Sequence, residues 1–157
     1  MRRIWIYSAA REIKAIERAL IESRLKDFIE IWAAHNKKLD AGYEIRYDRF
    51  IILSVDEQQA AAASGCSVDE SVRFLKHLEK DFDLPLFERQ NMLYLIGDHV
   101  FSCTLKEIGE KLESGEINED TPVFNPQVTN SEEMRSWIIP FKESGYASFG
   151  LKLIQKQ

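Results

Sequence analysis

Residues 43–55 read Tyr43-Glu44-Ile45-Arg46-Tyr47-Asp48-Arg49-Phe50-Ile51-Ile52-Leu53-Ser54-Val55, and this stretch decides the fold. Its first part, 43–47, alternates apolar and polar residues with the period of a β-strand, and Asp48-Arg49 supplies a turn. An almost wholly apolar strand returns over 50–55. A strand that is apolar on both faces lies inside a sheet and is covered on both sides. The stretch therefore predicts a β-hairpin whose second strand is central in a sheet.

A strand and a long amphipathic helix precede this hairpin. Residues 3–8 are apolar on both faces, which predicts a further covered strand. Over about 10–36, apolar residues recur at steps of three and four while charged residues fill the other face, so we expect a long helix, either straight or bent near Ser23. Its apolar positions are Ile13, Ile16, Leu20, Ile21, Leu25, Phe28, Ile29 and Trp32.

A second helix follows the hairpin. The sequence Ser67-Val68-Asp69-Glu70 has the pattern of a capping box, in which the serine hydroxyl and the glutamate carboxylate each accept a hydrogen bond from the other residue's amide. Apolar residues at helical spacing continue to Phe82, and Pro85 follows as a terminator. We therefore predict a helix over 67–82.

The last third of the chain predicts a smaller α+β unit. Two strands, 92–96 and 99–103, flank the turn residues Gly97-Asp98. Thr104-Leu105-Lys106-Glu107 is a second capping box, and the short helix that it opens ends near Ser114-Gly115, where glycine adopts a left-handed C-cap conformation.

The order of these elements is strand, helix, hairpin, helix, strand. It predicts an α+β protein with a ferredoxin-like (split βαβ) antiparallel sheet, two helices on one face, and a small C-terminal β-hairpin and helix unit. We expect a single compact domain over residues 1–157. If that domain is subdivided, we expect a ferredoxin-like part over 1–90 and the small α+β unit over 91–157.

The composition limits the classes of protein to consider. The chain has 157 residues, of which 45% are hydrophobic and 11% aromatic, so it is neither disordered nor fibrous. Its net charge of −5 argues against nucleic acid as a partner. The apolar runs are far shorter than the roughly 20 residues that span a bilayer, so we expect no membrane insertion. The two cysteines form neither a disulfide framework nor a metal-ligand spacing, and we predict a cytoplasmic protein without metal or cofactor.

Three blocks of the sequence are distinctive, namely residues 32–36, residues 49–57, and Ala63-Ser64-Gly65-Cys66-Ser67-Val68-Asp69. With these blocks, and with the later stretch 115–137, the chain resembles a group of small bacterial proteins of uncharacterised function. Many of them carry the automatic label "ABC transporter ATPase". An ABC ATPase holds nucleotide phosphates with a G-x-x-x-x-G-K-[ST] loop, and none of the 7 glycines is followed by lysine. We therefore predict that the protein is not an ABC-type ATPase.

The C-terminal unit carries a second likeness. Residues 101–108, 114–117 and 121–124 are similar to the core of GYF-type modules, which pack a helix on a small sheet and bind proline-rich peptides on an aromatic surface. The Gly-Pro-Phe and Gly-Tyr-Phe signatures of those modules are not in this sequence, and Gly145-Tyr146-Ala147 matches the second only in part. The resemblance implies local topology more than peptide binding.

The strongest candidate site is the turn Ser64-Gly65-Cys66-Ser67. Free amides at a helix N-terminus attract anions, so this turn, with Glu57 nearby, is a candidate for binding a small anion or a protein partner. The same amides favour the thiolate form of a cysteine, which would make Cys66 a nucleophile. The structural interpretation is that Ser67 caps the helix, Gly65 adopts a special backbone angle, and Cys66 is a small buried apolar residue.

Three functions are consistent with these observations. The leading hypothesis is a small soluble ligand- or partner-binding protein that uses the Ser64–Ser67 turn and an adjacent cleft. The second is a thiol-dependent enzyme in which Cys66 is the nucleophile, His35 the base and Asp56 a polar partner; His35 alternatively caps the first helix, and Asp56 and Glu57 alternatively lie on the surface. The third is a peptide-binding or interaction module in the C-terminal unit. The sequence leaves both a monomer and a homodimer open.

Overall fold

The computed structural model describes residues 1–58, 61–89 and 91–148, which form a mixture of helices and antiparallel sheets. The α+β class is therefore confirmed. The chain divides into two compact units. The first comprises Met1–Glu88 together with Val128–Met134, and the second comprises Arg89–Gln127 and the described residues from Arg135 on.

The first unit contains a three-stranded antiparallel sheet, two helices and a minimal hairpin. Its sheet has the order β1-β5-β4, so the nearly all-apolar strand is central, as the sequence predicts. The elements are β1 (Arg3–Ser8), α1 (Ala15–Ile31), β2 (Ala33–Ala34), β3 (Lys37–Lys38), β4 (Ala41–Arg46), β5 (Phe50–Val55) and α2 (Gly65–Phe82).

One face of this sheet packs against both helices. Alternate residues of β5 point toward α1 and α2, because successive side chains in a strand face opposite sides. The buried side chains that meet there are Ile51, Leu53 and Val55 from β5, Ile21, Leu25 and Phe28 from α1, and Leu75 and Leu78 from α2.

The first helix is shorter than predicted. α1 ends at Ile31, and Trp32 has extended backbone angles (φ −64°, ψ 124°). The indole Nε1 of Trp32 donates a hydrogen bond of 2.8 Å to the carbonyl oxygen of Ser67, which holds this residue in the core at the end of the helix. His35 and Asn36 then form the turn of the β2–β3 hairpin with φ of 50° and 64°. The prediction of a helix from about residue 10 to residue 36 is therefore wrong at both ends, since α1 begins at Ala15.

The ferredoxin-like topology is not confirmed. That topology places the strand after α2 beside β1, but the strand that follows, Asn91–Ile96, pairs within the second unit. Residues 129–131 lie beside β1 instead. The Ile4 amide donates to the Thr129 carbonyl (2.8 Å), and the Ser131 amide donates to the Arg2 carbonyl (2.9 Å).

The second unit is a four-stranded antiparallel sheet with a short helix. The order of its strands is β7-β6-β8-β9. Its elements are β6 (Asn91–Ile96), β7 (His99–Thr104), a 3-10 turn (Leu105–Glu107), α3 (Ile108–Ser114), β8 (Pro122–Phe124) and β9 (Ile138–Pro140). The Thr104 capping box is confirmed, since the Thr104 amide donates to the Glu107 carboxylate (2.9 Å). Gly115 takes the predicted left-handed C-cap angle with φ of 79°.

Within the described ranges, none of the helices combines the length and the apolar character that crossing a bilayer requires.

Candidate functional site

The turn before α2 has its cap at Ser64. The Ser67 amide donates to the Ser64 hydroxyl (3.2 Å), and the Ser64 amide donates to the Ser67 hydroxyl (2.7 Å). This is a reciprocal capping box in which a serine occupies the third helical position, where glutamate is usual. The predicted cap at Ser67 with Glu70 is therefore wrong, because the helix begins one turn earlier.

Ser67 and Gly65 are structural parts of this helix start. Ser67 is 1% exposed, and its hydroxyl also donates to the Ser64 carbonyl (2.8 Å). Gly65 is the first residue of α2, so the special backbone angle expected for it is not found.

Cys66 lies on the exposed side of the first turn of α2. The interpretation of Cys66 as a buried apolar residue is therefore wrong. The second thiol, Cys103, is buried in the core of the second unit, where burial raises its pKa to about 11.

The remaining candidate residues have separate surroundings. His35 is exposed at the tip of the β2–β3 hairpin. Asp56 accepts a hydrogen bond from the Gln58 amide (3.0 Å), and Glu57 lies 3.5 Å from the Arg3 guanidinium. Among the described residues, no hydrogen bond or ion pair joins Cys66 to His35 or to Asp56. The structure thus joins Ser64 and Ser67 by hydrogen bonds. Asp56 is bonded to the Gln58 amide instead, and Glu57 forms an ion pair with Arg3.

A pocket in the first unit lies at the end of α2. It has a volume of about 540 Å³, and its wall includes Lys80, Asp83, Phe87 and Glu88. Glu79, also in this wall, accepts a hydrogen bond from the Leu86 amide (2.7 Å), so its carboxylate closes the turn after the helix. This pocket is lined largely by groups that terminate α2.

A second pocket, of about 280 Å³, lies in the second unit. Its apolar lining residues are Leu105, Pro126 and Tyr146, and its polar lining residues are Asn125, Gln127 and Ser144. Sequence reasoning missed this pocket apart from Tyr146. The local signals for it were the Asn125-Pro126 turn and the partial Gly-Tyr-Phe match, which lie about twenty residues apart in the chain.

Hydrogen bonds hold the polar wall of this pocket in place. Asn125 accepts from the Gln127 amide (3.1 Å) through its side-chain oxygen and donates to the Ser136 carbonyl (3.3 Å) through its side-chain nitrogen. The Ser144 hydroxyl donates to the Phe141 carbonyl (2.7 Å). Tyr146 packs against the core of the unit, and burial raises its pKa. Asn125 and Ser144 are therefore held by hydrogen bonds to their own unit, and Tyr146 is partly buried against its core.

In the described part of the chain, no group of three or more His, Cys, Asp or Glu residues is placed to hold a metal ion. A comparison with family models, curated proteins and solved structures finds no match to this chain.

Proposed function

We propose that this protein is a partner-binding protein whose second unit takes a short, uncharged, proline-containing segment of another protein. The observation that supports the proposal is the pocket between Leu105, Pro126 and Tyr146. This function was the third of those that the sequence suggests, and the geometry supports it best.

The residues that line the pocket indicate which kind of peptide segment would bind there. The seven lining residues carry no charge, so a charged side chain would lose its hydration there without gaining an ion pair. A volume of about 280 Å³ is at the lower limit of small-molecule pockets and suits one or two apolar side chains. Proline rings pack well on aromatic side chains, and an extended proline-rich chain exposes carbonyl groups that side-chain amide donors can bind.

The Ser64–Ser67 turn is the second proposed site, for a small anion. Gly65 and Cys66 are exposed at the start of an 18-residue helix, where backbone amides attract negative charge. Both serine hydroxyls already bond within the turn, so the amides of residues 65 and 66 would hold the anion. A thiol-dependent enzyme ranks third, because no hydrogen bond or ion pair within the described part of the chain links Cys66 to His35 or to Asp56. Two free cysteines agree with a cytoplasmic location for any of these functions.

The test is a titration of the isotope-labelled protein with a decamer of proline, followed by NMR. We expect shifts at Leu105, Gln127 and Tyr146. Tyr146→Ala should weaken binding about tenfold or more, as is usual for an aromatic residue at the centre of an interface. Because Tyr146 also packs against the core, Gln127→Lys at the exposed rim provides a second variant that leaves the fold intact.

Phe101→Ala is the matched control, since Phe101 is an exposed aromatic residue of the same unit outside the pocket. It should leave the affinity unchanged. Shifts confined to the β6–β7 hairpin, or equal weakening by Phe101→Ala and Tyr146→Ala, would contradict the proposed location.

A further inference from the structure

The polar residues that line the pocket of the second unit differ in how far their hydrogen-bonding groups are already engaged. Asn125 accepts one hydrogen bond through its side-chain oxygen and donates another through its side-chain nitrogen. The Ser144 hydroxyl donates its single proton to the Phe141 carbonyl. Gln127 is exposed, and within the described ranges its side-chain amide makes no hydrogen bond. In that part of the chain, Gln127 is therefore the polar lining residue whose side-chain donor and acceptor are both available to a ligand.

The backbone of Gln127 is bonded within the unit. Its amide donates to the Asn125 side-chain oxygen (3.1 Å), and the residue before it is Pro126, whose ring restricts φ. A ligand that binds Gln127 therefore has to order its side chain but not its backbone. This lowers the conformational entropy that is lost on binding.

We propose that the Gln127 side-chain amide binds the backbone N–H and C=O of one non-proline residue in the partner segment. This inference rests on the proposed function, and it specifies a segment in which proline is next to a residue with an N–H. A carboxamide carries a donor and an acceptor side by side. The N–H and C=O of one residue in an extended chain point to the same side, so the two groups match in a two-point contact.

An unbroken run of proline cannot make this contact, because proline has no backbone N–H. Such a run offers only carbonyl groups, which the Gln127 nitrogen can bind while the Gln127 oxygen stays without a partner in the ligand. A segment that alternates proline with another residue supplies a ring for Tyr146 and an N–H for Gln127. One additional hydrogen bond of this kind raises the affinity about fivefold.

Two decamers test the proposal by NMR titration of the full chain. The first alternates proline and alanine, and the second has N-methylalanine in place of every alanine. N-methylation removes the N–H groups and keeps the carbonyl groups and the alanine side chains. We expect the wild-type protein to bind the first decamer about fivefold more tightly than the second, which is the effect of one hydrogen bond.

Gln127→Met is the decisive variant, because methionine keeps the length of the side chain and removes both hydrogen-bonding groups. The ratio of the two affinities should fall about fivefold from its wild-type value. N-methylation also changes the conformations of the peptide itself, and that effect is the same in both proteins and cancels in this comparison. Glu110→Met, an exposed change in α3 outside the pocket, is the matched control and should keep the wild-type ratio.

The outcomes separate this inference from the proposed function. An equal affinity ratio in wild type and Gln127→Met, with both decamers shifting the Tyr146 resonance, overturns the inference and leaves the proposed function in place. A fall in the ratio as large in Glu110→Met as in Gln127→Met also overturns the inference alone. If neither decamer shifts the resonances of Leu105 and Tyr146, the proposed function and the inference are both overturned.

Discussion

Ser64 and Ser67 decide where α2 begins and which of its residues face the core. With the helix starting at Gly65, the buried positions are Ser67, Ser71, Leu75 and Leu78, at helical steps of four and three. Cys66 precedes this buried stripe by one residue and therefore faces outward. The sequence contains a signal for this arrangement, because Ser67 and Ser71 continue the helical spacing of Leu75 and Leu78 toward the N-terminus. That signal is weak, since serine is more often exposed than buried.

We expect Ser64→Ala to lower the free energy of unfolding by about 1 kcal/mol, the usual cost of losing a capping hydroxyl. Glu70→Ala is the matched control, because Glu70 would be the partner in the capping box that the sequence alone suggests. Chemical denaturation measures both variants. A larger loss in the free energy of unfolding for Glu70→Ala than for Ser64→Ala would indicate that the helix begins at Ser67.

The two cysteines should differ strongly in their reaction with iodoacetamide. Cys66 is exposed and should be alkylated in the native protein, whereas Cys103 is 3% exposed and should react only when the second unit opens. The raised pKa of Cys103, about 11, slows it further because the thiolate is the reacting form. Mass spectrometry of Cys66→Ser and Cys103→Ser proteins separates the two rates. Equal alkylation rates of Cys66 and Cys103 in the native protein would contradict the burial of Cys103.

At the scale of the elements, the periodicity of the sequence correctly predicts β1, the β4–β5 hairpin, α2 and the β6–β7 hairpin, but it extends α1 too far. Trp32 continues the apolar spacing of α1 and is buried, yet it belongs to the chain after the helix. The reason is a tertiary contact, the hydrogen bond from its indole to the Ser67 carbonyl. Local spacing carries no information about a partner 35 residues away. The left-handed turn at His35-Asn36 likewise depends on α1 ending at Ile31.

The start of α1 should make stability depend on pH. Arg11 donates a hydrogen bond of 2.6 Å to Glu17, and this bond, aided by the Lys14 amide, holds the pKa of Glu17 below its ordinary value. A carboxylate with a lowered pKa in the folded state stabilises the fold above its unfolded-state pKa, and the stabilisation is lost as the pH falls through the folded-state value. Glu17→Gln should therefore be less stable than wild type at pH 7, with the difference shrinking as the pH falls below about 4.5.

Denaturant unfolding between pH 7 and pH 2.5 measures this difference. Glu30→Gln, an exposed change on the same helix, is the control and should show no comparable dependence on pH. A constant difference between Glu17→Gln and wild type over the whole range would show that the ion pair contributes nothing.

At the scale of the whole molecule, the first unit is discontinuous in sequence. The chain leaves it after Glu88 and returns at Val128–Met134, and the backbone of residues 129–131 lies beside β1. The sequence could not predict this return, because residues 128–131 (Val-Thr-Asn-Ser) lack the alternating pattern of a strand. Periodicity therefore predicts three strands of the sheet and their order, but not what lies beside β1.

Ser131→Pro tests the importance of this return. Proline removes the amide that donates to the Arg2 carbonyl, so we expect a loss of about 1–3 kcal/mol in the free energy of unfolding. Amide hydrogen exchange at Ile4, which donates to Thr129, should become faster. Ser131→Ala keeps the amide and should show a smaller change. Unaltered exchange at Ile4 in the proline variant would mean that residues 129–131 do not protect β1.

The return of residues 128–134 to the first unit also has a consequence during translation. Every element of the β1-β5-β4 sheet and both helices have been synthesised by residue 88, yet the segment that lies beside β1 follows about 40 residues later. At ordinary elongation rates of about 5–20 residues per second, the edge of β1 stays uncovered on the ribosome for roughly 2–8 seconds. During that interval the nascent chain presents an apolar strand edge, the kind of surface to which chaperones bind and through which chains aggregate.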